Sequence, residues 1–190
     1  GIFSNPNLTF CDLYVKSGLF LTETAKRLNR GLANVIPDER ARLKHIFENQ
    51  LFGFAPTQII YDIAANYIYG GFPEISRQNL KKKDLTEQFK KGEPLNMKFD
   101  VVIGNPPYQE GNYQIYTDFY VNAIKQANHV CLIFPTGWQQ FKTANGLKKM
   151  NDIKIKRDNQ IVQIDNRQNV FEGVAGAEWT NIILWKRFYN

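Results

Sequence analysis

Asn105-Pro106-Pro107-Tyr108 holds the side chains best suited to chemistry in this chain. Two consecutive prolines fix φ and remove both N–H donors, and the residue before each proline is kept out of the helical region. The segment is therefore stiff, and it presents carbonyl oxygens and the Asn105 side chain outward. An amide oxygen beside a main-chain carbonyl is an acceptor pair for an –NH2 group, and an aromatic ring three residues on can stack on a flat heterocycle. Together they describe a site for the exocyclic amine of a base.

The residues before it, Phe99-Asp100-Val101-Val102-Ile103-Gly104, read as a buried parallel strand that delivers the tetrapeptide at its end. Asn-Pro-Pro-Tyr in that context resembles the catalytic motif of the S-adenosylmethionine-dependent amino-methyltransferases, above all the adenine-N6 DNA methyltransferases of restriction–modification systems. Related motifs occur in protein-glutamine and cytosine-N4 methyltransferases. The resemblance implies that Asn105 Oδ1 and the Pro106 carbonyl accept the two hydrogens of the target amine. It also implies that Tyr108 stacks on a base swung out of the duplex and that Pro107 belongs to the substrate site.

The start of the chain is read in the same frame. Leu8-Thr9-Phe10-Cys11-Asp12 is expected to form a strand, and a helix is expected from Leu19 to Leu32 with Leu21, Ala25 and Leu28 on its buried face and Gly31 as a stop signal. Strand, Ser-Gly turn and helix is the layout of a first βα unit that binds a cofactor. In the family this place carries an Asp-Pro-x-x-Gly-Ser-Gly motif, which Asp12, Ser17, Gly18 and the aromatic Phe20 match. Leu13 and Lys16 depart from it, and Lys16 puts a side chain where close backbone approach to a ligand calls for glycine. The resemblance also implies an acid for the cofactor ribose after the second strand, where Ala55-Pro56-Thr57 supplies none and Asp62 falls on the following helix. Asp84 stands where the family places an acceptor for the cofactor's adenine amine.

Further strands are expected at Gln50–Phe54, Ile75–Leu80, His129–Phe134, Ile161–Asp165 and Thr180–Lys186. Helices are expected to start at Pro37-Asp38-Glu39-Arg40 and to run over Thr57–Tyr69 and Gln114–Ala127, the last with Ile115, Phe119, Ala123 and Ile124 inward. Residues 86–98 read as a surface connection. Pro135-Thr136-Gly137-Trp138 resembles the family's strand-end stretch that walls the substrate pocket. Phe171 and Trp185 are the aromatics that the resemblance offers for backing a flipped base, with core packing as the alternative for these and for Trp138.

Alternating strands and helices indicate an open α/β sheet. The resemblance makes it a Rossmann-like methyltransferase fold, a mostly parallel seven-stranded sheet flanked by helices, over 1–190 as a single catalytic domain. The motif order resembles the gamma class, so a target-recognition domain or specificity subunit is expected outside this chain, and a restriction endonuclease is a candidate partner. The chain begins at Gly1, not Met, and reads as an internal fragment.

A composition of 43% hydrophobic and 22% charged residues fits a soluble globular protein. No run is long enough for a membrane span, which makes the cytoplasm the expected location. Cys11 and Cys131 read as buried free thiols, and His45 and His129 have no partners at metal-ligand spacing, so no metal is expected. A net charge of +6 favours a polyanion, here double-stranded DNA, with Lys81-Lys82-Lys83 and the basic residues of 139–157 as candidate phosphate contacts. A non-catalytic DNA-binding module derived from a methylase, or a protein-glutamine methyltransferase, remain the alternatives.

Overall fold

The computed structural model describes residues 1–136, 161–168 and 179–187. Seven strands lie in the order β3-β2-β1-β4-β5-β7-β6: β1 Phe10–Asp12, β2 Leu51–Ala55, β3 Leu80–Lys82, β4 Phe99–Gly104, β5 Ala127–Pro135, β6 Ile161–Gln168 and β7 Trp179–Lys186. The chain divides into two compact units, one of residues 1–85 with 99–103, the other of residues 86–98 with the chain from Gly104 on.

In the first unit, β2 and β4 flank β1 and β3 lies outside β2, all pairs parallel. Helices α1 Leu19–Gly31, α2 Glu39–His45 and α3 Gln58–Tyr69 alternate with these strands. The predicted face of α1 is buried through Leu21, Ala25 and Leu28, and it packs with Phe10, Val15, Leu51, Ala64 and Ile68 into one apolar cluster. Each Leu, Ile, Val or Phe side chain so removed from water contributes about 1.5–3 kcal/mol. Asp38 caps α2 by accepting the Ala41 N–H at 2.7 Å, and Thr57 caps α3 through the Ile60 N–H at 3.3 Å. The start of β4 is clamped to the residue before β1, because Asp100 Oδ2 accepts both the N–H and the hydroxyl of Thr9, at 2.9 and 3.0 Å.

Gly31, expected to stop α1, is not left-handed; a Cβ on it would stand 2.1 Å from the Phe3 carbonyl oxygen, so close approach rather than conformation excludes a side chain there. The third strand forms at Leu80–Lys82 and not at 75–80. Leu80 is the residue that turns inward, and Ile75 is buried in the connection before it.

In the second unit, the expected surface connection contains the short helix α4 Thr86–Lys90, whose Phe89 is fully buried. Helix α5 spans Tyr116–Gln126. Its buried side chains include Asp118, Asn122 and Gln126, one helical turn apart, as well as the predicted Phe119 and Ala123; Ile124 is only half-buried. β7 is antiparallel to both β5 and β6. Phe134 of β5 stacks on Tyr116 at 5.1 Å and meets Tyr120 edge-on at 5.8 Å, joining α5 to its strand. Both cysteines are free, with Cys11 buried and Cys131 only half-buried. No helix among the described residues is long and apolar enough to cross a membrane.

Candidate active site

Parallel pairing puts the carboxyl ends of β1, β2, β3 and β4 at one edge of the first unit, with Asp12 opposite Gly53, Ala55 opposite Lys82 and Cys11 opposite Val102. That edge collects the expected cofactor residues. Asp12 ends β1 and is 3% exposed. Its Oδ1 accepts the Tyr14 N–H at 3.0 Å, but burial outweighs that bond and the nearby Lys16 charge, raising the carboxyl to a pKa of about 7. A buried carboxyl with so little compensation suits a cationic ligand.

The turn from Leu13 to Gly18 is fastened from within. Leu13 and Val15 are buried, and the Val15 N–H donates to Phe54 O at 2.9 Å. Lys16 and Ser17 are exposed, so Lys16 replaces glycine at a position facing solvent. Gly18 is buried, with φ +92, and begins α1. A Cβ there would lie 2.8 Å from Ile68 Cγ1 on α3. Both the left-handed conformation and the packing require glycine, and composition alone signals only the first. Phe20 is half-buried in the first turn of α1. Asp84 is exposed, two residues beyond β3 at the same edge. After β2, Thr57 is occupied as a helix cap, while Asp62 lies on α3 and accepts Gln58 Nε2 at 2.9 Å. Thr57 follows the end of β2 but is no acid, and Asp62 lies further on within α3, so neither is an acid at the strand end where the resemblance puts the ribose contact.

The tetrapeptide opens the second unit, directly after β4. Pro106 is buried, while Asn105, Pro107 and Tyr108 are half-buried. Tyr108 and the Asn105 side chain are hydrogen-bonded; burial pushes the phenol up to about 12, and this bond works against that rise. Sequence reasoning anticipated both residues and missed this link between them.

Trp185 is 2% exposed. It sits opposite Val130, near the start of β5, whereas Thr180 pairs with Pro135 at the strand's far end. The Arg187 guanidinium lies 5.2 Å over its ring. These surroundings support the core-packing alternative for Trp185. Trp138, Phe171 and the basic residues of 139–157 lie outside the described residues. Among the described residues no group of three or more His, Cys, Asp or Glu is placed to hold a metal ion. His45 is spent on structure, with Nε2 at 2.9 Å from the Pro6 carbonyl.

A family model described as Eco57I restriction-modification methylase matches residues 38–171. A relative from Mycoplasma pneumoniae, described as an uncharacterized adenine-specific methylase, is 26% identical; the match covers 100% of this chain and 64% of the relative. The methyltransferase subunit of a type I restriction-modification system from Streptococcus thermophilus superposes with a TM-score of 0.71 at 16% identity, over 100% of this chain and 41% of that one. A nuclease-deletion mutant of the type ISP restriction-modification enzyme LlaGI, in complex with a DNA substrate mimic, gives 0.68 at 13% identity, over 96% and 21%. The chain thus spans less than two thirds of the length of these relatives. The two structures share the mostly parallel seven-stranded fold, and the matched segment contains β2 to β6 with the whole Asn-Pro-Pro-Tyr motif. On that match the chain belongs to the Eco57I restriction-modification methylase family.

Proposed function

We propose that this chain is the catalytic part of a restriction–modification DNA methyltransferase that transfers a methyl group from S-adenosylmethionine to the N6 amine of adenine. The observation that carries the reading is the Asn105–Tyr108 pair at the end of β4. The adenine amine is a poor nucleophile because its lone pair is delocalised into the ring. Asn105 Oδ1 and the Pro106 carbonyl accept its two hydrogens and localise the lone pair as it attacks. Tyr108 stacks on the base, which leaves the duplex to reach a strand-end loop.

S-adenosylmethionine, when bound, supplies a methyl group already activated by its sulfonium. Asp12, with Ser17, Gly18 and Phe20, would hold its methionine end, and Asp84 its adenine amine. The raised pKa of Asp12 supports this, since a cationic ligand restores the carboxylate that burial disfavours. The +6 net charge supports a DNA substrate, as does the DNA complex of LlaGI. Pro107, Trp138 and Phe171 complete the proposed substrate wall. A target-recognition domain or specificity subunit supplies sequence readout, a restriction endonuclease is the expected functional partner, and the cytoplasm is the expected location.

The test is to incubate the intact protein with methyl-tritiated S-adenosylmethionine and unmethylated DNA, then separate the nucleosides. Label on N6-methyladenine is the expected result. Label on a protein glutamine would overturn the reading in favour of a protein methyltransferase. DNA binding without any transfer would favour a non-catalytic module.

A further inference from the structure

The turn that follows the tetrapeptide is held from α4. Helix α4 has only five residues and cannot stand alone, but it is fastened to α5. Phe89 meets the Phe119 ring edge-on at 5.0 Å, and Asn122 Nδ2 donates to the Phe89 carbonyl at 3.2 Å. On this support, Lys90 Nζ contacts Glu87 Oε1 at 2.8 Å, pairs with Glu110 Oε2, and lies 5.7 Å from the centroid of the Tyr113 ring. Glu110 and Tyr113 exchange main-chain hydrogen bonds at 2.9 and 3.0 Å, closing a tight turn in which Gly111 has φ +57. One ammonium therefore gathers both ends of the turn.

We propose that Lys90 is a positioning residue for the catalytic tetrapeptide, fixing the 110–113 turn to α4 and so setting where Tyr108 is presented, two residues before Glu110. The inference rests on the methyltransferase reading above. An exposed ion pair alone would fix little. Lys90 differs in that its side chain is 26% exposed and three groups from two segments converge on it. The prolines stiffen the first half of the loop between β4 and α5; Lys90 restrains the second half. It touches no substrate in this role. Its effect is geometric, and displacement of a reacting group by about 1 Å can cost up to ~100-fold in rate.

The variants are Lys90→Ala, Lys90→Arg and the charge exchange Lys90→Glu with Glu110→Lys, made in the intact protein. Backbone hydrogen exchange at Glu110 and Tyr113 is measured beside methyl transfer to unmethylated DNA. Lys90→Ala is expected to speed exchange at both amides and to lower kcat about tenfold, with KM for S-adenosylmethionine within about twofold of wild type. Lys90→Arg is expected to recover part of both effects, and the exchanged pair to exceed either of its single variants. Unchanged exchange and kcat in Lys90→Ala would overturn the proposal. So would a loss of activity explained by a lowered Tm and not relieved by arginine. If the wild type transfers no methyl group, the functional reading falls separately, and the exchange rates still decide whether Lys90 holds the turn.

Discussion

The turn after β1 and the tetrapeptide after β4 both follow the carboxyl ends of parallel strands, but they keep their motifs to different degrees. Asn-Pro-Pro-Tyr is literal and lies inside the segment matched by the family model, whereas Asp12-to-Gly18 has drifted at Leu13 and Lys16 and lies ahead of that segment. The physical demands differ. In the proposed role, an acceptor for an amine hydrogen must be a particular side-chain atom at a particular place, and no substitute for Asn105 keeps both charge and shape. A loop that presents its backbone tolerates exchange where a side chain keeps an outlet to solvent, as at Lys16, which is exposed although partial burial lowers its pKa. It does not tolerate exchange at Gly18, where φ is +92 and Ile68 fills the space.

If that division is right, substitution in the two regions has separable effects. The largest is expected at Asn105. Asn105→Ala should lower methyl transfer by about 10²–10³-fold without weakening cofactor binding, measured by single-turnover transfer beside calorimetry. At Tyr108 the ring matters more than the hydroxyl. Tyr108→Ala should cost about 10²-fold through lost stacking and positioning, while Tyr108→Phe, which removes only the partner of the Asn105 amide, should cost about threefold. Equal losses in the two variants would shift the main role to the hydroxyl.

Asp12 gives a pH signature in stability. Its carboxyl titrates near 3.8 when unfolded and about 7 when folded, so between these values the folded state holds a proton that the unfolded state has lost. Stability of the wild type therefore falls as pH rises through this window and levels off above it. Asp12→Asn can still accept the Tyr14 N–H and lacks that slope. Its advantage over wild type in urea unfolding should grow from pH 4 to pH 7 to on the order of a few kcal/mol. Gly18→Ala should cost about 1–3 kcal/mol of stability at any pH, from left-handed strain and the Ile68 contact together; an unchanged urea midpoint would remove the packing explanation for this glycine.

Much of the fold was legible because its signals are local. The apolar run of β4, the face Leu21, Ala25 and Leu28 of α1, and the cap-to-end span of α3 follow directly from residue type and period. Helix α4 was missed because Phe89 is a single apolar residue among charged ones, and one residue has no period. In α5, Asp118, Asn122 and Gln126 are buried side chains that hydropathy assigns to water; Asn122 shows why, since its amide bonds the carbonyls of Phe89 and Asp118. At the site, Asn105 and Tyr108 could be named from the motif, but their hydrogen bond, the hold of Lys90 and the packing of Ile68 on Gly18 depend on segments distant in the chain. For Trp185 the residue type left substrate contact and core packing both open, and its 2% exposure depends on partners distant in the chain.

In the proposed division of roles, the β1 edge holds the methyl donor while the β4 tetrapeptide acts on the acceptor. This division is tested most directly by titrating S-adenosylmethionine calorimetrically into the wild type, Asp12→Ala and Asn105→Ala forms of the folded protein. Micromolar binding by the wild type, loss of binding in Asp12→Ala and wild-type binding in Asn105→Ala are expected. Absence of binding to the folded wild type, or binding that survives in Asp12→Ala and disappears in Asn105→Ala, would contradict it.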